Sequence, residues 1–478
     1  MHLMERTRPQ HADDRADATV GMVTIVATWA SATLAIGVLT AHEFLKQKSA
    51  ALDIAKPNDR RTPGPKRSNW QALENRTFRW YFAGSVVSNL GTWLQNAVQV
   101  VLAYQLTHSV FMVGLVTCAQ FTSPLVLGPW AGVVTHKIGN WKTLIATQTA
   151  SMAIAAGLAG LKFSGSLTVS WLLVGALAIG LAFTFALPAL SVTVAGLVPE
   201  DEANKALATK RALAMDSVSY NLGRALAPVL SVVLFITIGV GWAFALNAGS
   251  FFFFTLVLLI LRRRSTSSEA NRSRSPVKNG FRIAWHERRI MILLLMVAAV
   301  TVAADPILVL GPALARSSGA SPDWSGIFIA ALGVGNVIGS LRRTRRIPSI
   351  RRAATVLCLL SLAMLLFALS PWIVLSAAAA FMAGTACLLA GAITRALLLD
   401  YAGPVRQASV MAAWAVAWAG SKPLASLVDG SLAGVIGVRP TGILMALPAL
   451  IPALVLICWP ESAKRIRGKG EPELMPVA

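Results

Sequence analysis

Residues 262–289, RRRSTSSEANRSRSPVKNGFRIAWHERR, are basic, rich in serine and free of any long apolar run. On each side lie roughly 180 residues of mostly apolar sequence, and at about 20 residues per bilayer crossing each side divides into about six spans. The first set is expected near 78–105, 111–135, 141–161, 168–198, 205–236 and 240–261. The second is expected near 290–315, 324–341, 353–370, 371–399, 408–435 and 440–459. The sequence thus predicts an all-α membrane protein of two six-helix halves, 78–261 and 290–459, around a central cytoplasmic loop, 262–289.

Composition agrees. Of 478 residues, 55% are hydrophobic and 13% charged, whereas a soluble protein carries about a quarter charged residues. The net charge of +22 would suggest nucleic acid if it were spread over one soluble face. Instead about 34 of the 43 Lys and Arg fall in segments that a twelve-span count places on one side of the membrane, which is the positive-inside bias. The excess therefore reports topology, and no nucleic-acid partner is expected. Cys118, Cys358, Cys387 and Cys458 sit inside predicted spans without a CxxC pairing, as packing residues do.

Ahead of the first half, residues 1–19 are polar. Residues 20–42 hold about 22 uncharged positions, long enough for one extra transmembrane helix and too long and too late for a cleaved signal peptide; a start site set upstream is the other reading. The linker 43–77, with its Pro-Gly-Pro, cannot bury a core, and 460–478 forms a cytoplasmic tail. Within the halves, the second span of each is glycine-rich and runs into a basic turn, 128–142 and 333–352. That echo suggests a duplicated unit, and two halves flanking a central site is how secondary transporters are built.

The turn Gly132–Lys142, GVVTHKIGNWK, resembles the major facilitator superfamily signature Gly-x-x-x-Asp-Arg-x-Gly-Arg-Arg/Lys. Gly132, Lys137 and Gly139 match, with the basic Lys142 one residue past its end; His136 stands in the place of the Asp, and Asn140 and Trp141 replace basic residues. LGTWLQNAV (90–98), QFTSP (120–124), LVPEDEANKA (197–206), NLGRALAP (221–228) and NGFRIAWHERR (279–289) are similar to the drug and siderophore exporter branch, which includes the enterobactin exporter and macrolide efflux pumps. The resemblance covers about 74–460. It implies proton antiport by alternating access, in which an amphiphilic small molecule, siderophore or drug-like, leaves through a monomeric multi-pass carrier of the bacterial inner membrane. An importer or facilitator of the same fold, and a non-transporting scaffold or sensor, are the alternatives. The family's Asp latches the gate, a role His136 cannot take unchanged. The family's span-five Gly-Pro-x-x-Gly reads Ala227-Pro228-Val229-Leu230-Ser231, and Lys422-Pro423 in span eleven looks like its second-half echo. Gly132, His136, Lys137, Gly139, Lys142, Arg224, Pro228, Lys422 and Pro423 are thus the gating candidates.

Charges inside spans are costly and mark pathways. Six qualify: Asp216, Arg224, Asp305, Arg395, Lys422 and Asp429. Asp305 lies near the midplane before the helix-weakening Pro306; it is either a proton-coupling acid or an ion-pair partner of Arg395, Arg224 or Lys422. Asp216 is the second coupling candidate, and Asp429 is expected at a hydrated outer position. Trp93, Gln95, Asn96, Gln99 and Gln120 on spans one and two, with Arg395, are candidates for the substrate cavity. For the amides, helix-to-helix bonding is the other reading. The chain has no P-loop and no HExxH, so neither an enzyme nor a cofactor is expected; small-molecule cargo, protons and lipid are the expected partners.

Overall fold

In a computed structural model the chain is described over residues 69–198, 205–262, 286–341 and 348–458. The expected extra helix at 20–42, the linker up to residue 68, most of the central loop and the tail lie outside the described residues. After a 3-10 turn at Asn69–Glu74, six helices follow: α1 Arg76–Thr107, α2 Val110–Ile138, α3 Asn140–Phe163, α4 Val169–Gly196, α5 Lys205–Thr237 and α6 Val240–Arg262. The second set is α7 Arg288–Ala304, α8 Pro306–Val309, α9 Gly311–Ser317, α10 Ser325–Leu341, α11 Ile350–Leu369, α12 Ile373–Ile436 and α13 Val438–Cys458. Among the described residues, 7 helices are long and apolar enough to cross a membrane by length and composition. None of those residues forms a strand. In hydrocarbon every backbone N–H and C=O must be satisfied within the segment, which a helix does alone.

Two details of the helical course stand out at spans seven, ten and eleven. Span seven is broken into α7, α8 and α9, because Pro306 has no N–H to continue the ladder and a second proline, Pro312, follows. Spans ten and eleven are a single helical run, α12, that doubles back on itself. The Arg395 guanidinium lies 5.4 Å from the Trp414 ring centre, and Trp418 packs on Gly391. A straight helix rising about 1.5 Å per residue would hold each of these pairs more than about 25 Å apart. Both pairs centre on Gly403-Pro404, which places the reversal there.

Helices α1 to α6 pack as one bundle and α7 to α13 as another, and the two meet where α2 lies on α12 and α5 on α10. Glycines make the closest crossings. A Cβ on Gly180 of α4 would stand 2.1 Å from the Gln120 carbonyl oxygen of α2, and one on Gly384 of α12 would stand 2.2 Å from that of Leu332 in α10. These are corresponding positions of the two halves, spans two and four against spans eight and ten. Backbones touch there because nothing intervenes, as small residues allow in lipid.

The seam between halves is tight toward one end of α2. Gly114 of α2 approaches the Ser426 carbonyl of α12, Gly430 approaches Phe111, and Leu125 reaches Gly420. His108, at the left-handed end of α1, shares a 3.1 Å hydrogen bond with Arg316. Further along the same face of α2, toward the basic turns, Gly128 and Gly132 have no neighbour within 4 Å. On α2 the contact with α12 is thus tight toward the His108 end, while toward the basic turn a Cβ at Gly128 or Gly132 would meet open space.

Gly180→Ala and Gly384→Ala are each expected to lower the thermal unfolding midpoint in detergent, at a cost of about 1–3 kcal/mol from forced overpacking. Gly157→Ala in α3, where a Cβ meets nothing within 4 Å, is expected to raise it by up to about 1 kcal/mol through helix propensity.

Candidate functional site

Helices α1 and α5 cross along a polar ladder. Tyr81 donates to Asp216 at 3.0 Å, Ser85 and Ser219 hydroxyls are 2.9 Å apart, and Asn89 donates to Ser219 at 3.0 Å. One turn on, Gly223 meets the Asn89 backbone. Asp216 is thereby tied into the interior of the first bundle, about 12 Å along α5 from Arg224.

Gln95 and Gln99, candidates for the cavity, are corrected. Gln95 is 1% exposed, accepts a 2.7 Å bond from Asn247 of α6 and donates to Gln99, whose amide reaches the Leu172 carbonyl. They hold α1 to α6 and α4, away from the seam. Trp93, Asn96 and Gln120 instead line a cavity of about 70 Å³ with Phe121 and Tyr220. Gln120 donates to Asn96 at 2.7 Å. Drug-sized ligands occupy about 300–1,000 Å³, so this space, lined by the first bundle alone, is too small for an amphiphile without further opening.

Three cations face rings here, Arg224 and Lys422 reaching rings of the opposite half and Arg395 a ring of its own helix. Arg224 lies 5.8 Å from the ring centres of both Trp93 and Trp418; Lys422 lies 4.2 Å from Phe121 and 5.8 Å from Trp93; Arg395 covers Trp414. Trp414 and Trp418 are stacked, 5.5 Å between centres. Trp93 packs edge-on to Tyr220. Among the described residues no carboxylate lies in ion-pair contact with any of the three, the one such pair being Arg406 with Glu287. A cation at a helix centre costs about 2.5–3.5 kcal/mol and a ring face returns about 0.5–2 kcal/mol. The cluster is therefore under-compensated as it stands.

Asp305 caps the break between α7 and α8, is 3% exposed, and accepts a 2.5 Å bond from Ser426 of α12. Its charge and that of Lys422 act on one another, while Arg224 and Arg395 make no contact with it. Asp429, expected in a hydrated place, is corrected: it is 0% exposed and neither carboxyl oxygen has a hydrogen-bond partner. The reason is the outer seal, where Gly430 and Gly114 bring α2 down on α12 and exclude water from the stripe Lys422, Ser426, Asp429. In the turn 132–142, Gly132, His136, Lys137 and Lys142 are exposed, and Gly139 takes φ 94, a left-handed conformation suited to glycine. Pro228 is buried within α5 and Pro423 within α12.

The sequence reading passed over Phe121, Tyr220, Trp414 and Trp418. The available signal was position: two tryptophans one turn apart in mid-span, four residues before Lys422, where interfacial anchoring cannot account for them.

A family model described as a transmembrane secretion effector matches residues 67–460. No curated protein matches in sequence. Among solved structures, a bacterial homologue of the human lysosomal transporter Spinster, inward-facing and unoccupied, aligns with a TM-score of 0.60 at 14% identity, over 83% of this chain and 99% of its own. The POT family transporter PepTSo aligns at 0.61 and 13% identity over 82% and 99%. A mutant of the nucleoside transporter NupG aligns at 0.60 and 13% over 79% and 99%. At such identities the likeness is one of fold.

Gln95→Leu is expected to destabilise the protein by about 1–3 kcal/mol in thermal unfolding, because it leaves the buried Asn247 amide without its acceptor.

Proposed function

The chain belongs to the transmembrane secretion effector family of the major facilitator superfamily, and on that premise we propose that it exports an amphiphilic small molecule, siderophore-like or drug-like, in exchange for protons. The setting is a bacterial inner membrane and the mechanism is alternating access. The observation that carries the reading is Asp305, a buried acid at the broken midpoint of span seven, bonded to Ser426 and facing the charge of Lys422.

Each part has a place in that cycle. The present arrangement, tight where α2 meets α12 toward His108 and open beside Gly128 and Gly132, is the one that would load cargo from the cytoplasm. Closing the basic end would bring the exposed turn Gly132–Lys142 toward the second half, while Pro228 and Pro423 supply the weak points about which α5 and α12 bend. Opening the outer seal would separate α2 from α12 and admit water to Asp429. A proton entering there would pass inward along the Asp429, Ser426, Asp305 stripe. Asp216, held by Tyr81, serves the packing of α1 on α5 in this reading rather than the transfer.

A second reading, import on the same fold, is favoured by one contact. Neutralising Asp305 frees Lys422 to attract an anion, so a proton and an anionic cargo support each other's binding, which suits co-transport. Exchange instead requires proton and cargo to occupy different conformations, since a ligand moves a two-state equilibrium only by its differential affinity.

Intracellular retention of siderophores and dyes is the test, in cells expressing the wild type, Asp305→Asn or no transporter, with and without a protonophore. The wild type is expected to lower retention, and both the substitution and the protonophore to abolish the difference; a rise in retention reverses the direction. In vesicles, Asp429→Asn is expected to slow proton-driven efflux by about tenfold or more, a loss of at least ~1.4 kcal/mol, while exchange between cargo on the two sides continues.

A further inference from the structure

We infer that the seam cluster selects an organic anion bearing a planar aromatic ring, a carboxylate or sulfonate rather than a cationic drug. This deepens the transporter reading and rests on it for the claim that the ligand is cargo. Three cations face the seam, and the carboxylate whose charge bears on them, Asp305, acts on Lys422 and is bonded to Ser426. Arg224 and Arg395 have no carboxylate in contact among the described residues, and each guanidinium lies against an indole instead. Rings, with the Cys387 thiol beside Arg224, fix where the guanidiniums point but leave their charge unneutralised.

The rings come from both halves: Trp93 and Phe121 from the first, Trp414 and Trp418 from the second. Arg224 bridges Trp93 of the first half to Trp418 of the second, across the surface that must part in every cycle. A flat ligand entering between those indoles would stack on them and place its acid between the two guanidiniums, whose planar forks match carboxylate and sulfonate oxygens in pairs. Arg395 is exposed and Arg224 half-buried, so the first would meet the anion and the second complete its capture. A cationic amphiphile of the same shape meets three like charges. The inside-negative membrane potential also drives an anion outward.

The test uses the full-length protein in phosphatidylcholine nanodiscs and two xanthene dyes of opposite charge, fluorescein and rhodamine 6G, read by fluorescence anisotropy. Fluorescein is expected to bind saturably and rhodamine 6G not to. Arg395→Gln, with its unfolding midpoint checked against the wild type, is expected to weaken fluorescein about tenfold, as loss of a charge-assisted contact does, and Arg395→Lys to recover part of it. Saturable binding of rhodamine 6G without fluorescein, fluorescein binding that Arg395→Gln leaves unchanged, or no saturable binding of either dye overturns the proposal. Fluorescein that binds as expected but shows no counterflow in vesicles leaves the anion site standing and removes the transporter reading instead.

Discussion

Backbone touches backbone at Gly180, Gly384 and Gly114, and the rest of the architecture is built on those approaches. Lipid offers no hydrophobic reason for one apolar helix to prefer another, so the fit must come from shape. Where a Cβ would fall little more than 2 Å from a carbonyl oxygen, only glycine permits the crossing. The crossings within each bundle, α2 with α4 and α10 with α12, give two rigid bodies. The crossing between bundles, α2 with α12, gives a seam that must be tight enough to exclude water and free enough to part. Both demands are met by the same device in different places, and the difference is what stands beside it. Within the bundles the neighbours are apolar or tied by hydroxyl, amide and carboxylate hydrogen bonds; along the seam they are cations and indoles, with the acids Asp305 and Asp429 beside them.

That placement explains the electrostatic character of the centre. Lys422, Ser426 and Asp429 project from one stripe of α12, the stripe that α2 covers. At one end of the stripe the Lys422 cation faces the rings of Phe121 and Trp93; about 10 Å further along the helix the acid of Asp429 is buried and without a partner. The same helix therefore carries a ring-faced cation and an unpartnered acid on one side.

Much of the fold was legible because its causes are local. Span length is written in about 20 consecutive residues, and Pro306 announces the break in span seven. The site was legible in part. Asp305 stands out as an acid beside a proline in an apolar run, and Arg224, Arg395 and Lys422 stand out for the same reason. What could not be read was which way a side chain faces in a helix that is apolar all round. Gln95 and Asn96 are neighbours, yet one locks α1 to α6 and the other lines the cavity. Asp429 seemed peripheral by its distance along the span, and only the glycine contact of α2 on α12 makes it interior. Trp414 and Trp418 become partners of Arg224 and Arg395 only once α12 has turned back, which depends on contacts some 20 residues apart.

The turned-back helix couples parts that the sequence lists separately. Arg395 and Lys422 stand on the two limbs of the α12 hairpin, with Trp414 and Trp418 between them in sequence, and the third cation, Arg224, belongs to the first bundle. If the two halves rock as the proposed cycle requires, the hairpin would act as one jaw of a clamp and α5 as the other, so that a change of state would alter its gape while its pattern of charge stayed the same.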